Sequence, residues 1–447
     1  MPSNLSLKKR KHLNSFQIII LGFLGVILLG ALLLMLPIST NSGVVTPFNE
    51  AAFTATSAVC VTGLVVQDTA TYWSGFGQAI ILILIQIGGL GVVTVTASFA
   101  LLSGRNISLA QRSTMQEAIA APKVGGIVRL TTFILKATLI FELAGALIMM
   151  PVFCMDFGVR GIWMAVFHSV SAFCNAGFDI MGTAEAPFAS LTYYMAHPVI
   201  NITIILLIVI GGIGFLTWED VYSNRLRFKS YRMQSKVIFL VTGLLIIIPA
   251  VIFFFFEFSD MPMNERIFAS LFQSVTPRTA GFNTADLAAM SRMGQGVIIV
   301  LMLIGGSPGS TAGGMKTTTV AVLIANALAV FRRKESTQFF GRRIDNEAVR
   351  SAATVLMMYI SLFFSGAVAI SLIEGIPFEE CIFETASAVG TAGLTLGITT
   401  SLGLASQIII MTLMFLGRVG GLTLIYATIS GINKNLSRLP QEKITIG

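Results

Sequence analysis

The chain has 447 residues, of which 55% are hydrophobic and only 11% are charged, and its mean hydropathy is +0.84. This composition provides too little polar surface for a water-soluble protein of this length and indicates an integral membrane protein. The formal charge of +8 does not indicate nucleic-acid binding, because the basic residues fall in short segments between apolar stretches and no nucleic-acid-binding motif accompanies them.

Eight apolar stretches are long enough to cross a bilayer, which takes about 20 helical residues. They cover residues 16–38, 76–102, 131–153, 197–222, 236–258, 294–331, 352–374 and 404–431. Within each successive pair lies a shorter apolar segment that predicts a half-helix entering the membrane without crossing it. These four segments cover residues 47–59, 162–173, 265–275 and 377–389.

The stretches therefore predict four repeats of one hairpin unit, each made of a helix, a pore loop and a second helix. The predicted repeats cover 16–102, 128–222, 235–331 and 350–431, and 1–15 and 432–447 are terminal tails. Lys and Arg cluster in the tails and between the repeats, as at 8–11, 225–236 and 332–350. Since such an excess marks cytoplasmic segments, both termini are predicted to be cytoplasmic.

The opposite side of the membrane is predicted to carry most of the acids, including Asp68, Asp179 and Glu384. A negative external mouth would concentrate cations near an entrance. The same distribution would also arise if acids are simply tolerated outside.

Each half-helix runs into a short sequence that ends in glycine. Stacked backbone carbonyls replace the hydration shell of a potassium ion only when they point at one axis, and glycine adopts the dihedral angles that this requires. The carboxyl ends of the half-helices also favour a cation. The sequence thus predicts an all-α membrane protein whose eight transmembrane helices surround a central ion pathway. The predicted selectivity filter, with K⁺ at its carbonyls, consists of Val61, Thr62, Gly63, Asn175, Ala176, Gly177, Thr279, Ala280, Gly281, Thr391, Ala392 and Gly393.

The sixth stretch, 294–331, is too long for one straight crossing and is interrupted by glycines and a proline. Such a segment is expected to unwind and to face a water-filled cavity, because unpaired backbone is costly in lipid. The alternative is a glycine-rich crossing that allows close helix packing. The unwound segment is predicted to contain Gly305, Gly306, Ser307, Pro308, Gly309, Ser310, Thr311, Ala312, Gly313 and Gly314.

Arg418 lies inside the last apolar stretch, where an unpaired cation costs roughly 2.5 to 3.5 kcal/mol. We expect it to contact carbonyls of the broken sixth stretch or to line the pathway, although a structural tether between helices is an alternative. Lys316 is expected to extend to the membrane interface or to contact the broken segment, with the first favoured. Glu142 is expected to be a partnered interior acid.

From about residue 16 to residue 431 the chain resembles the membrane subunit of the Trk/Ktr/HKT superfamily of potassium transporters, most closely the bacterial Ktr type, KtrB. The resemblance is carried mainly by 276–282 (TPRTAGF) and 305–314 (GGSPGSTAGG). It implies potassium uptake across the cell membrane, with each repeat supplying a quarter of one pathway. It also implies that 305–314 gates the pathway with Lys316 and Arg418, and that Gly63 favours potassium over sodium.

The resemblance further implies a homodimer seated on a separate cytoplasmic, nucleotide-binding regulatory ring (KtrA-like). Membrane lipid is the other expected partner, while no nucleic acid, no covalently bound cofactor and no enzymatic activity are expected. Cys60, Cys154, Cys174 and Cys381 lack the spacing of a metal site.

Two other functions remain open. A sodium-selective or sodium and potassium co-transporting relative would share this fold, and Na⁺ could act as an activator. A sodium-coupled solute symporter is disfavoured, because all four repeats begin on the same side of the membrane.

Overall fold

The computed structural model describes residues 14–102, 107–119, 121, 123, 125–225 and 227–420. Within them the chain is helical apart from its connections and one two-stranded hairpin, β1 (Gln338–Phe339) paired antiparallel with β2 (Arg342–Arg343). The predicted C-terminal tail, most of the N-terminal tail and residues 421–431 of the fourth repeat lie outside the described residues.

The first repeat contains α1 (Ser15–Leu34), α2 (Phe48–Cys60), α3 (Gly75–Leu90) and α4 (Val92–Leu102), and α5 (Leu109–Ile119) follows it. Asn14 and Gln17 form a capping box that starts α1. The stretch predicted as one crossing at 76–102 is instead two helices, because the chain bends by 99° between α3 and α4. The bend falls at Gly91, whose φ is +85°.

The second repeat contains α6 (Ile127–Phe157), α7 (Arg160–Phe173), α8 (Pro198–Gly212) and α9 (Phe215–Asn224). It repeats the bend of the first, because α8 and α9 meet at 98°. Here Gly214, with a φ of +94°, stands at the corner.

The third repeat differs from the first two at its second helix. In the third repeat the predicted crossing at 294–331 consists of two short helices separated by an extended segment, residues 304–316. The third repeat contains α10 (Met233–Ile252, continued by a π-helical turn Phe253–Glu257), α11 (Met263–Val275), α12 (Arg292–Leu303) and α13 (Thr317–Phe331). The fourth repeat contains α14 (Asn346–Glu374), α15 (Phe378–Gly390) and α16 (Leu404–Val419).

Among the described residues, four helices are long and apolar enough to cross a membrane. Counting each of the two bent pairs as one crossing raises the number to six. The four are α1, α6, α10 with its π-helical turn, and α14. The shorter apolar helices α12, α13 and α16 occupy the other two predicted crossings. The chain is therefore a multi-pass helical membrane protein.

Helices occur at all four positions where half-helices were predicted, with bounds within two residues. They are α2, α7, α11 and α15. Their carboxyl-terminal halves are almost completely buried, whereas α1 and α6 expose leucines such as Leu28 and Leu139. The polar centre of the molecule thus lies where the ends of these four short helices meet.

Candidate functional site

The four short helices end in the same backbone path. Two residues before each glycine, a residue with a side chain adopts the left-handed conformation, which costs on the order of 1 to 3 kcal/mol and persists only when its surroundings enforce it. These residues are Val61, Asn175, Thr279 and Thr391, with φ angles of 57°, 56°, 70° and 51°. The glycines Gly63, Gly177, Gly281 and Gly393 follow, with φ angles of 94°, 69°, 80° and 81°.

The four glycines face one another around a common axis, and we call them the glycine ring. A Cβ atom added to Gly63 would lie 2.7 Å from the carbonyl oxygen of Ala176, and one added to Gly177 would lie 2.8 Å from that of Ala280. A Cβ on Gly281 would lie 2.9 Å from the oxygen of Ala392, and one on Gly393 would overlap that of Thr62. Each glycine therefore approaches the carbonyl that precedes the glycine of the next repeat.

All twelve residues predicted to form the filter are thus brought together, and the side chains among them are buried. The side chains of Val61, Asn175, Thr279 and Thr391 are fully buried in the surrounding protein, as are those of the residues that follow them. The surface facing the axis is therefore made by main-chain atoms.

Each turn is joined to the end of its own helix by backbone hydrogen bonds, one of which occurs in all four repeats. The amide of the residue before the glycine donates to a carbonyl near the end of the helix, at distances of 2.8 to 2.9 Å. The pairs are Thr62 with Ser57, Ala176 with Ser171, Ala280 with Thr276, and Ala392 with Ser387.

The hydroxyl groups of three of these four acceptor residues also form hydrogen bonds with the turns. Ser171 donates to the carbonyl of Phe178 at 2.7 Å, Thr276 donates to that of Phe282 at 2.6 Å, and Ser57 accepts from the amide of Gly63 at 3.1 Å. The sequence analysis missed these residues. A signal was present, because a hydroxyl residue stands six positions before the glycine in three repeats and five before it in the third.

A cavity of about 160 Å³ lies on one side of the glycine ring, and all four glycines line it together with Asp68 and Asp179. Asp68 accepts hydrogen bonds from the amides of Thr71 and Phe188, both at 2.9 Å. Asp179 accepts from the amide of Met181 at 3.1 Å. Burial raises the pKa of Asp179 to about 7, and the nearby charge of Asp68 acts in the same direction.

The segment 304–316, which we call the intramembrane loop, lies against the filter turns of two repeats. The side-chain amide of Asn175 donates to the hydroxyl of Thr311 at 3.0 Å, and that hydroxyl donates to the carbonyl of Phe173 at 3.0 Å. A Cβ atom on Gly313 would overlap the side chain of Thr391. The loop therefore touches the filter turns of the second and fourth repeats.

The loop is tied to the second repeat by its main chain as well. The amides of Ser307 and Thr311 donate to the carbonyls of Gly212 and Gly211, at 2.9 and 3.2 Å. The loop also closes on itself, because the amide of Gly305 donates to the carbonyl of Met315 at 2.8 Å. Several of its backbone polar groups are thus satisfied within the protein rather than left to lipid.

Arg418 joins three repeats through carbonyl groups. Its guanidinium donates to the carbonyl of Thr311 in the intramembrane loop, as the sequence predicted, and to those of Gly88 and Gly89 at the end of α3. The contact with α3 was not anticipated. Among the described residues no carboxylate forms an ion pair with Arg418, so main-chain dipoles alone satisfy its charge.

Lys316 contacts the intramembrane loop, which is the second of the two arrangements expected from the sequence. Its ammonium donates to the carbonyls of Ala312 and Gly313, at 2.9 and 3.2 Å. These acceptors lie three and four residues before Lys316, close enough for its side chain to fold back on the loop. Lys316, Arg418 and the loop residues Pro308 to Ser310 line a second cavity of about 610 Å³.

A small polar cluster lies behind the filter turn of the second repeat. The carboxylate of Glu142 accepts from the side-chain amide of Gln86 at 3.2 Å, as expected of a partnered interior acid. The thiol of Cys174, next to Asn175, lies 3.8 Å from the same carboxylate. This cluster connects the first repeat to the filter turn of the second.

The fold and this site define a multi-pass helical membrane protein built around a ring of main-chain atoms. The chain belongs to the TrkH family of cation transport proteins, whose family model matches residues 4–435. This confirms the family resemblance found in the sequence. Members of this family transport cations, which is consistent with a protein that is not an enzyme.

Individual relatives match nearly the whole chain. The Potassium/sodium uptake protein NtpJ of Enterococcus hirae is 39% identical over 98% of both chains. The Ktr system potassium uptake protein B of Bacillus subtilis is 37% identical over 96% of both chains. The crystal structure of the potassium transporter TrkH from Vibrio parahaemolyticus has the same fold, with a TM-score of 0.74 at 18% identity, and the match covers 96% of this chain and 87% of that one.

Proposed function

We propose that this protein takes up potassium across the cell membrane through the glycine ring. The observation that carries the proposal is the close approach of each glycine to the carbonyl group that precedes the glycine of the next repeat. In three of the four cases, a Cβ atom added to the glycine would lie 2.7 to 2.9 Å from that carbonyl oxygen. A ring of such carbonyls replaces the water shell of K⁺. The absence of side chains leaves the axis open to the ion.

The proposed architecture is eight transmembrane helices in four repeats, with both termini in the cytoplasm. The carboxyl ends of α2, α7, α11 and α15 then direct their partial negative charge at the ion. The membrane potential supplies the driving force, about 2.3 kcal/mol per charge per 100 mV. The cavity that contains Asp68 and Asp179 would be the external mouth.

The proposed gate is the intramembrane loop together with Lys316 and Arg418. Since the loop lies between the filter turns and the larger cavity, an ion leaving the ring would have to pass it. The two cations oppose that passage electrostatically. Opening would require the loop to release Thr311 from Asn175 and from Arg418.

We also propose that two copies assemble on a cytoplasmic ring of nucleotide-binding subunits. The resemblance to the Ktr type supports this, as does the word "system" in the name of the Bacillus subtilis relative. The basic segments 225–236 and 332–350 are the proposed docking surfaces. Co-purification of the ring with wild-type protein, and its loss when either segment is neutralised, is the expected result.

A second candidate is uptake of both sodium and potassium. The name of the Enterococcus hirae relative, which includes both ions, favours it. The test for both candidates is uptake of rubidium-86 into proteoliposomes, competed by potassium or by sodium. Inhibition by potassium alone supports a potassium-selective pathway, while equal inhibition by sodium supports the second candidate.

A further inference from the structure

A cavity of about 590 Å³ lies away from the ion pathway, between the start of α6 and the bent helix α9. Its volume is in the range of sites that hold small ligands. Three cations line it, Lys123, Arg129 and Arg232, against one carboxylate, Glu219. The cavity therefore has the charge to attract an anion.

Two of these cations are available to a ligand. Arg232 is already paired with Glu219 at 2.9 Å and with Asp220 at 3.3 Å. Lys123 and Arg129 are exposed and form no ion pair with any described residue. Arg129 also stands in the first turn of α6, which contains no acidic residue, so its charge is opposed by the helix dipole. An anion between Lys123 and Arg129 would relieve this repulsion.

The other wall of the cavity is apolar and belongs to the membrane boundary. Leu130, Phe133 and Leu216 line it, and the ring of Phe133 lies 5.3 Å from that of Tyr222. Tyr222 is 75% exposed, and its hydroxyl has no partner among the described residues. An exposed tyrosine beside an apolar helix surface is typical of the level of lipid headgroups.

The direction of α9 supports the same location. Because α9 is bent by 98° from the apolar helix α8, it runs across the direction of α8. With α8 crossing the bilayer, as under the proposed function, α9 lies along the membrane surface. The cavity then opens both to the aqueous phase, through Lys123 and Arg129, and to the lipid, through Phe133. A ligand with a phosphate and acyl chains matches both walls.

We propose that this cavity binds the headgroup of an anionic phospholipid, with its phosphate between Lys123 and Arg129 and its acyl chains along Phe133 and Tyr222. Basic pockets between membrane helices on the cytoplasmic side recognise such lipids. The assignment to the cytoplasmic leaflet rests on the orientation given under the proposed function. The binding itself does not depend on ion transport.

The test is native mass spectrometry of the full-length protein, stripped of lipid in detergent and titrated with phosphatidylglycerol or phosphatidylcholine. We expect saturable binding of phosphatidylglycerol only. The double variant Lys123→Gln/Arg129→Gln should weaken it about 25-fold, from a factor of about five per cation. The matched control is Arg342→Gln/Arg343→Gln on the exposed hairpin, which belongs to the proposed docking segment for the regulatory ring and not to this cavity. With no ring present, it removes the same charge elsewhere and should bind the lipid like wild type.

Three results would overturn the proposal. One is unchanged binding in the Lys123→Gln/Arg129→Gln variant, and another is an equal loss in the hairpin control, which would indicate general surface charge. The third is displacement of the lipid by an equal concentration of glycerol 3-phosphate, which would assign the cavity to a soluble phosphate. Rubidium uptake by the same protein after reconstitution into proteoliposomes separates a failure of this site from a failure of the proposed transport function.

Discussion

The glycine ring and the intramembrane loop lie side by side but are built on opposite principles. The ring uses four near-equivalent turns, each joined to the end of its own helix by a backbone hydrogen bond from the residue before the glycine. The loop exists in the third repeat only, among the described residues, and is held by contacts from the other repeats. The proposed ion site needs equivalent neighbours around one ion, whereas the proposed gate needs only one copy to block the passage.

The largest effect is expected from adding one methyl group to the glycine ring. Gly177→Ala would place a Cβ 2.8 Å from the carbonyl of Ala280 and would force alanine into a left-handed conformation. We expect rubidium-86 uptake to fall roughly 100-fold, equivalent to about 3 kcal/mol. Gly25→Ala, where an added Cβ meets no atom within 4 Å, is the control. Wild-type uptake by Gly177→Ala would show that the axis carries no ions.

The loop should respond in the opposite direction. Deleting residues 306–313 removes the segment beneath the filter turns and leaves the ring intact, so we expect uptake without any regulatory partner to rise about tenfold or more, or about 1.4 kcal/mol. Potassium should still compete better than sodium. A deletion variant that elutes as a folded protein in gel filtration but transports at the wild-type rate would remove the loop from the gate.

The contact between the two regions can be tested with one hydroxyl. Thr311→Val keeps the shape of the side chain but removes the bridge from Asn175 to the carbonyl of Phe173. Loss of the bridge, worth about 0.5 to 1.5 kcal/mol in total, should raise basal uptake by roughly 2- to 12-fold. Thr311→Ser retains the hydroxyl and should behave as wild type. Equal uptake by both variants would mean that the ring and the loop are independent.

The smallest effect is expected from external pH. Burial raises the pKa of Asp179 to about 7, so its carboxyl group is mostly charged at pH 8 and mostly neutral at pH 6. Because a negative mouth concentrates cations, the half-saturating rubidium concentration should rise about two- to threefold as external pH falls from 8 to 6. Asp179→Asn should show at both pH values the weaker rubidium affinity that the wild type shows at pH 6. A pH response that persists in Asp179→Asn would assign it to another group.

The sequence predicted the short helices more accurately than the long ones, for a physical reason. Pro47 and Pro377 stand just before α2 and α15, where the missing donor is harmless, and the glycine signatures mark the other ends. The bends at Gly91 and Gly214 were missed. Hydropathy records how apolar a segment is and says nothing of its direction.

The contacts between repeats were the least predictable part of the site. Arg418 clearly needed acceptors, but Gly88 and Gly89 lie 330 and 329 residues away in sequence. The hydroxyl groups of Ser171 and Thr276 gave only a weak signal, because single serines and threonines are common in membrane helices. Such partners become visible only once the four turns are placed around one axis.

The position of Arg418 also explains an advantage of joining four repeats in one polypeptide. A channel assembled from four identical subunits repeats every side chain four times, so it would carry four guanidinium groups around the same narrow axis. At about 8 Å and an effective dielectric constant of 20, each pair would repel by roughly 2 kcal/mol. Fusion of the quarters into one chain permits a single positive charge off the axis of symmetry, which a symmetric tetramer cannot have.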